Sequence, residues 1–250
     1  MVRDEKQVQN KVTIVGIGET RLSYGIVASL LQRDATVIIP AQSSHHLNIL
    51  EHYLKGSNKD KLVTVLTDLP DYDKTVALVE MIIEEYGPID IVVSPFTYQS
   101  LKADFSNISV VQWQRAVEEN LAVYFIFCRV AIDAMKKRGQ GMFVAIVNMD
   151  GLGSEPDNQM TEMLVAGQIK MARSFYEEVK NTGVKFYHLF INNLDIEPEQ
   201  QEPGSKIIMP EMIAQYILHI SNEDEQPVTS PFLFLMGKPN ANLDQYFKNN

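Results

Sequence analysis

The sequence predicts a doubly wound α/β domain: a parallel sheet of about seven strands with helices on both faces, in three layers. Seven short runs of nearly continuous apolar character recur along the chain, at Val12–Val15, Thr36–Ile39, Leu62–Leu66, Ile89–Val93, Met142–Val147, Val184–Ile191 and Phe232–Leu235. Strands buried on both faces read in this way. Longer stretches with helical spacing separate them, and strand–helix alternation at this interval produces a parallel sheet. At 250 residues the chain suits one such domain, spanning 1–250, better than two small ones.

The elements follow in order. The first run leads into a turn, Val15-Gly16-Ile17-Gly18-Glu19-Thr20-Arg21-Leu22-Ser23-Tyr24-Gly25, before the first helix. Asp73–Tyr86 places Val76, Val79, Ile82 and Ile83 on one helical face with charges opposite, and Gly87-Pro88 stops it. The stretch Val111–Arg138 carries Trp113, Leu121, Tyr124, Phe125, Phe127, Val130 and Ile132, more apolar surface than one face of a sheet needs. Such an excess meets another helix, from a second subunit or from deep within the monomer. Asn192–Lys206 is polar and acidic with two prolines and a glycine, so a surface loop over the site is expected. Ser221–Gln226 reads as a solvated helix end.

Composition narrows the function. Lys+Arg 22 against Asp+Glu 32 gives a net charge of −10, which disfavours a nucleic-acid backbone as partner. The start, MVRDEKQVQN, has no apolar core of a signal peptide, and no run approaches the ~18 apolar residues of a membrane span. The single cysteine, Cys128, falls in an apolar helical stretch and reads as a small core residue. A cytoplasmic setting is expected. His45, His46 and His52 are close in sequence, but no Cys or carboxylate pattern accompanies them, and no metal site is expected. The strings Gly-x-Ser-x-Gly, Walker A and Cys-x-x-Cys do not occur.

Several local strings carry a resemblance. Leu66-Thr67-Asp68-Leu69 follows the third strand, Tyr86-Gly87-Pro88-Ile89-Asp90 enters the fourth, and Asn120 stands in Glu119-Asn120-Leu121. Gly141–Asn148 forms the fifth strand, and Met209–Ala214 and Val228–Gly237 close the chain. In this order and spacing, from Lys11 to Gly237, the chain resembles a divergent member of the short-chain dehydrogenase/reductase family, whose Rossmann fold binds NAD(P).

The resemblance implies where a cofactor and a reaction would be sought. Family members hold the pyrophosphate on a glycine-rich turn. Here Gly18 takes the first glycine position, with Leu22 and Tyr24 at the other two. With one deletion the turn instead resembles the enoyl-reductase branch, with Gly16 first and Ser23-Tyr24-Gly25 matching in part. The implied cofactor-binding residues are Gly16, Gly18, Thr20, Ser23, Ser43, Asp68 and Asn120. A tight turn that binds nothing remains the alternative. After the second strand, Gln42-Ser43-Ser44-His45 has neither the acidic residue that holds a ribose 2′-OH nor an Arg for a 2′-phosphate; these side chains favour NADP over NAD or cap the next helix. Phe96 stands where the family keeps a small residue beside the adenosine. NADP or NAD binding is therefore expected to be weak or absent.

The family's chemistry needs Tyr-x-x-x-Lys, in which the ammonium lowers the phenol pKa and the phenol exchanges a proton with the carbonyl oxygen. Aligned without a gap, Thr161 takes the Tyr position and Val165 the Lys position. Shifting the alignment to place Lys170 at the Lys position puts Ala166 at that of Tyr. Tyr176-x-x-x-Lys180 matches the string too late in the helix. Asp150 and Tyr98 are the candidate substitute acids or bases. The expected function is a nucleotide- or small-ligand-binding or interaction protein that lacks this hydride-transfer site; the alternative is an NAD(P)H-dependent oxidoreductase using a substitute acid or base. A homo-oligomer is expected through helices 111–138 and 158–181, the second carrying Met160, Met163, Leu164, Ile169, Met171 and Phe175.

Overall fold

The computed structural model describes residues 11–16, 21–41, 43–96, 103–149, 159–192, 208–221 and 232–236. Each of the seven apolar runs is a strand: β1 (Val12–Val15), β2 (Thr36–Ala41), β3 (Leu62–Leu66), β4 (Ile89–Phe96), β5 (Gly141–Asn148), β6 (Val184–Asn192) and β7 (Phe232–Met236). They pair in parallel in the order β3-β2-β1-β4-β5-β6-β7. The order reverses between β1 and β4, and in an open α/β sheet a ligand crevice forms outside the strand carboxyl ends at such a switch point. Strands β2 and β4 run past their expected ends through Pro40, opposite Val65, and Pro95, opposite Ile146. A missing proline N–H removes one ladder bond without ending the pairing.

The helices are α1 (Arg21–Leu31), α2 (Ser44–Tyr53), α3 (Tyr72–Tyr86), α4 (Val110–Val117), α5 (Val123–Arg138), α6 (Gln159–Val179) and α7 (Pro210–Ser221). Helices α1 and α7 cover one face, where Ile26, Leu30, Ile213 and Ile217 pack with Val93, Val144 and Leu189. Helices α3, α5 and α6 cover the other, where Ile82, Phe127 and Phe175 meet Ile14, Phe143 and Phe186. The Phe143 and Phe186 rings stack at 5.2 Å. Cys128 lies in this second layer, fully buried, and burial pushes its thiol pKa up, as befits an inert core residue. At the base of the sheet Asp90 accepts from the Val12 N–H and the Arg138 guanidinium, both at 2.9 Å, tying β1, β4 and α5 together.

The single helix expected over 111–138 is interrupted. A capping box of Ser109 and Gln112 starts α4, and a π-helical stretch, Glu118–Ala122, separates it from α5. There the Asn120 side-chain amide donates to the Ala116 carbonyl at 2.7 Å. The apolar excess of this region also resolves: Tyr124, Phe127, Ile132 and Met135 face the sheet, whereas Phe125 is 43% exposed. Of the expected surface loop at 192–206, Asn192 closes β6 and is buried; 193–206 lie outside the described residues. Among the described residues no helix is long and apolar enough to cross a membrane.

Candidate functional site

Among the described residues singled out by the sequence, Gly16, Ser43 and Asp68 follow the carboxyl ends of β1, β2 and β3. Gly16 directly follows β1, and its N–H donates to the Val93 carbonyl at 2.9 Å. A Cβ on Gly16 would stand 2.6 Å from Phe127 Cζ, so α5 closes directly over this position. Gly18 and Thr20 lie outside the described residues. Ser23 is buried in the first turn of α1. Leu22 and Tyr24, at the other two glycine positions, turn into the core with Val27, Leu50 and Leu54. The Tyr24 ring rests 5.6 Å from that of Tyr53 on α2, and burial raises the pKa of its hydroxyl. Gly25 serves helix packing, since a Cβ there would run into Pro210 at the start of α7.

Ser43 caps α2, accepting from the His46 N–H at 3.5 Å, with its hydroxyl 2.9 Å from His46 Nδ1. Asp68, beyond β3, pairs with Lys74 at 3.0 Å on the surface. Both side chains are thus engaged with the protein. Asn120 anchors the π-helical stretch described above. The Phe96 backbone ends β4; its side chain, Tyr98 and Asp150 lie outside the described residues.

Helix α6 carries Thr161 and Val165, the residues that the ungapped reading of the sequence sets against Tyr and Lys. Thr161 is 6% exposed and Val165 4%. They lie one turn apart on the face toward the sheet, as the i, i+4 spacing requires. Val165 packs with Val147 and Met149 at the end of β5 and with Phe190 of β6. Val165 is thus part of a hydrophobic cluster. Lys170 is exposed on another side of α6, so the shifted alignment gives it no access to the sheet. Lys180 lies 5.0 Å over the Tyr176 ring and pairs with Glu177 at 2.6 Å, an ordinary helix-surface arrangement. On the neighbouring side of α6, a Cβ on Gly167 would come within 3.2 Å of Leu121, a close approach of α6 to the π-helical stretch. Among the described residues no group of His, Cys, Asp and Glu is arranged to hold a metal ion.

Sequence reasoning missed three participants. Phe190 lies in β6 and Met149 just beyond β5, and only the fold brings them against Val165. His188 is fully buried in the middle of β6. Its signal was in the sequence, as a titratable residue inside the apolar run Val184–Ile191.

Comparison with known proteins places this geometry. Residues 10–192 match the family model described as short chain dehydrogenase. The 3-oxoacyl-[acyl-carrier-protein] reductase FabG of Chlamydia muridarum is 25% identical over 242 residues, 91% of this chain and 96% of that one. Levodione reductase shares the fold with a TM-score of 0.78 at 16% identity, covering 92% of this chain and 98% of its own. The NADPH-bound short-chain oxidoreductase from Pseudomonas aeruginosa PAO1, with an atypical catalytic center, superimposes with a TM-score of 0.77 at 17% identity, covering 93% and 98%.

Proposed function

The chain belongs to the short-chain dehydrogenase family, and we propose that within it this protein has given up hydride transfer by Tyr-x-x-x-Lys. It acts instead as a nucleotide- or small-ligand-binding or interaction protein. One observation carries this reading: Thr161 and Val165 are buried, and Val165 is walled by Val147, Met149 and Phe190. A threonine hydroxyl has a pKa far above that of a phenol and no ammonium to lower it, so the proton relay to a carbonyl has no counterpart at these positions. Binding of NADP(H) ahead of NAD(H), and weak for both, follows from the lack of an acidic residue after β2 and from the engagement of Ser43 and Asp68 with His46 and Lys74. Any cofactor would be held by Gly16, Gly18, Thr20 and Ser23 and would supply the hydride.

The test is titration with NADPH and NADH followed by nicotinamide fluorescence, then a carbonyl panel that includes 3-oxoacyl thioesters. Weak or no binding without turnover supports the proposal. Turnover of roughly 1–10³ s⁻¹ overturns it.

A second reading is an NAD(P)H-dependent oxidoreductase with a substitute acid or base, Asp150 or Tyr98. It is favoured by the reductase relatives and by the NADPH-bound structural neighbour with its atypical catalytic center. Turnover that is lost in Asp150→Ala or Tyr98→Phe would establish it.

The protein is further proposed to assemble as a homo-oligomer through helices 111–138 and 158–181. Val110 and Val111 are 70% and 72% exposed on α4, and Phe125 stands out from α5 beside Phe175, with ring centroids at 6.0 Å. Soluble monomers rarely leave such apolar surface to water.

A further inference from the structure

His188 is a titratable side chain buried within the sheet. It is 0% exposed, and neither Nδ1 nor Nε2 has a hydrogen-bond partner. Its ring lies 4.6 Å from that of Phe190 and 6.4 Å from that of Phe232, while Phe190 stacks on Phe234 at 5.2 Å. These four rings join β6 to β7. Strand β7, five residues long, is the edge strand among the described residues and pairs there with β6 alone, with His188 opposite Phe232.

No charged or titratable side chain faces the ring among the described residues. On its face of the sheet β5 presents Phe143, Ala145 and Val147, and β7 presents Phe232 and Phe234. By helical spacing, Val165, Gln168 and Ala172 of α6 lie above it, all buried. Among the described residues an imidazolium placed here would have no counter-charge, and neither ring nitrogen has a hydrogen-bond partner, so the closed structure holds the ring neutral.

We propose that His188 makes the β6–β7 edge an acid-sensitive latch, closed while the imidazole is neutral and opened by proton uptake once β7 separates and the ring meets water. The consequence reaches the candidate site, because Phe232 packs against the cluster of Val147, Met149, Val165 and Phe190. The latch is independent of whether a nucleotide binds. Its pH window follows from burial, which lowers the His188 pKa from 6.5 to about 3. Above pH 6.5 both open and closed forms are neutral and the edge keeps its full stability. As pH falls from there toward 3, the open form takes a proton that the closed form refuses, and opening becomes steadily more favourable.

Hydrogen exchange read by mass spectrometry, corrected for intrinsic exchange rates, tests this on the whole chain. For an exposed histidine of ordinary pKa, the opening constant of 184–192 and 232–236 should rise about 25-fold between pH 7 and pH 5. Residues 72–86 of α3, remote from the ring, should respond far less. His188→Leu should abolish the pH response of the edge. An unchanged edge in the wild type, or an undiminished response in His188→Leu, overturns the proposal. Should that variant fail to fold, the ring-proton NMR titration of wild-type His188 decides: a pKa well below 6.5 supports the latch, and an ordinary one removes its basis.

Discussion

The ring of Phe127 occupies the space that a side chain on Gly16 would need, with Cζ 2.6 Å from the Cβ position. Gly16 had two explanations in the sequence: a phosphate-binding glycine or a tight turn. The contact supplies a third reason for glycine, which is packing of α5 onto the end of β1. Gly16→Ala should therefore destabilise the protein with or without nucleotide. The loss should shrink by about 1 kcal/mol or more when Phe127→Leu removes the ring, as expected of residues in direct contact. Thermal or urea unfolding of the four-member cycle reads the coupling; strict additivity would rule out the packing explanation.

Restoring the family residues should fail in a particular way. Thr161→Tyr with Val165→Lys places an ammonium among Val147, Met149 and Phe190, where no carboxylate is found among the described residues. An uncompensated buried charge costs roughly 3–5 kcal/mol. The double variant should melt well below the wild type and show no carbonyl reduction in an NADPH-oxidation assay. A variant of unaltered Tm that turned over would show that this cluster is no barrier to the relay.

The fold was legible because strands buried on both faces leave an unmistakable trace. All seven apolar runs became strands, although β2 and β4 extended through prolines that local reasoning treats as stops. The break between α4 and α5 was not legible. Apolar residues continue on both sides of Glu118-Glu119-Asn120, and no local signal there marks a shift of the backbone to π-helical bonding. The site divides in the same manner. The sequence places Thr161 and Val165 on one helix, but the contacts of Val165 come from Val147 of β5, from Met149 just beyond it and from Phe190 of β6, about 16 to 25 residues away in sequence. The outward or inward turn of Leu22 and Tyr24 was equally invisible, since it depends on α2 lying beside α1.

Two glycines with the same positive φ offer a matched comparison. Gly139 and Gly183 both have φ +77°, but a Cβ on Gly139 would meet open space whereas one on Gly183 would strike the Gly139 carbonyl. The left-handed conformation alone costs a side chain about 1–2 kcal/mol. Gly139→Ala should lose that much, and Gly183→Ala distinctly more. At this chain length each kcal/mol lowers Tm by about 2–4 °C, so differential scanning calorimetry resolves the two. Equal losses would mean that the loops between α5 and β5 and between α6 and β6 separate without cost.

The assembly proposal is settled by two residues on one helix. Phe125 is 43% exposed and Ile132 is 1% exposed, so a charge acts differently at each. Ile132→Glu buries an unpaired carboxylate in the layer beneath α5 and should unfold the subunit. Phe125→Glu leaves the fold intact, because its side chain already meets water in the isolated chain, and should disrupt only a contact with another copy. Light scattering of the wild type at micromolar concentration should give a mass of at least twice 28.3 kDa. Phe125→Glu should fall to the monomer mass with an unchanged circular dichroism spectrum. A wild type that is already monomeric would remove the proposed interface, and an assembly untouched by Phe125→Glu would place it away from the exposed side of α5.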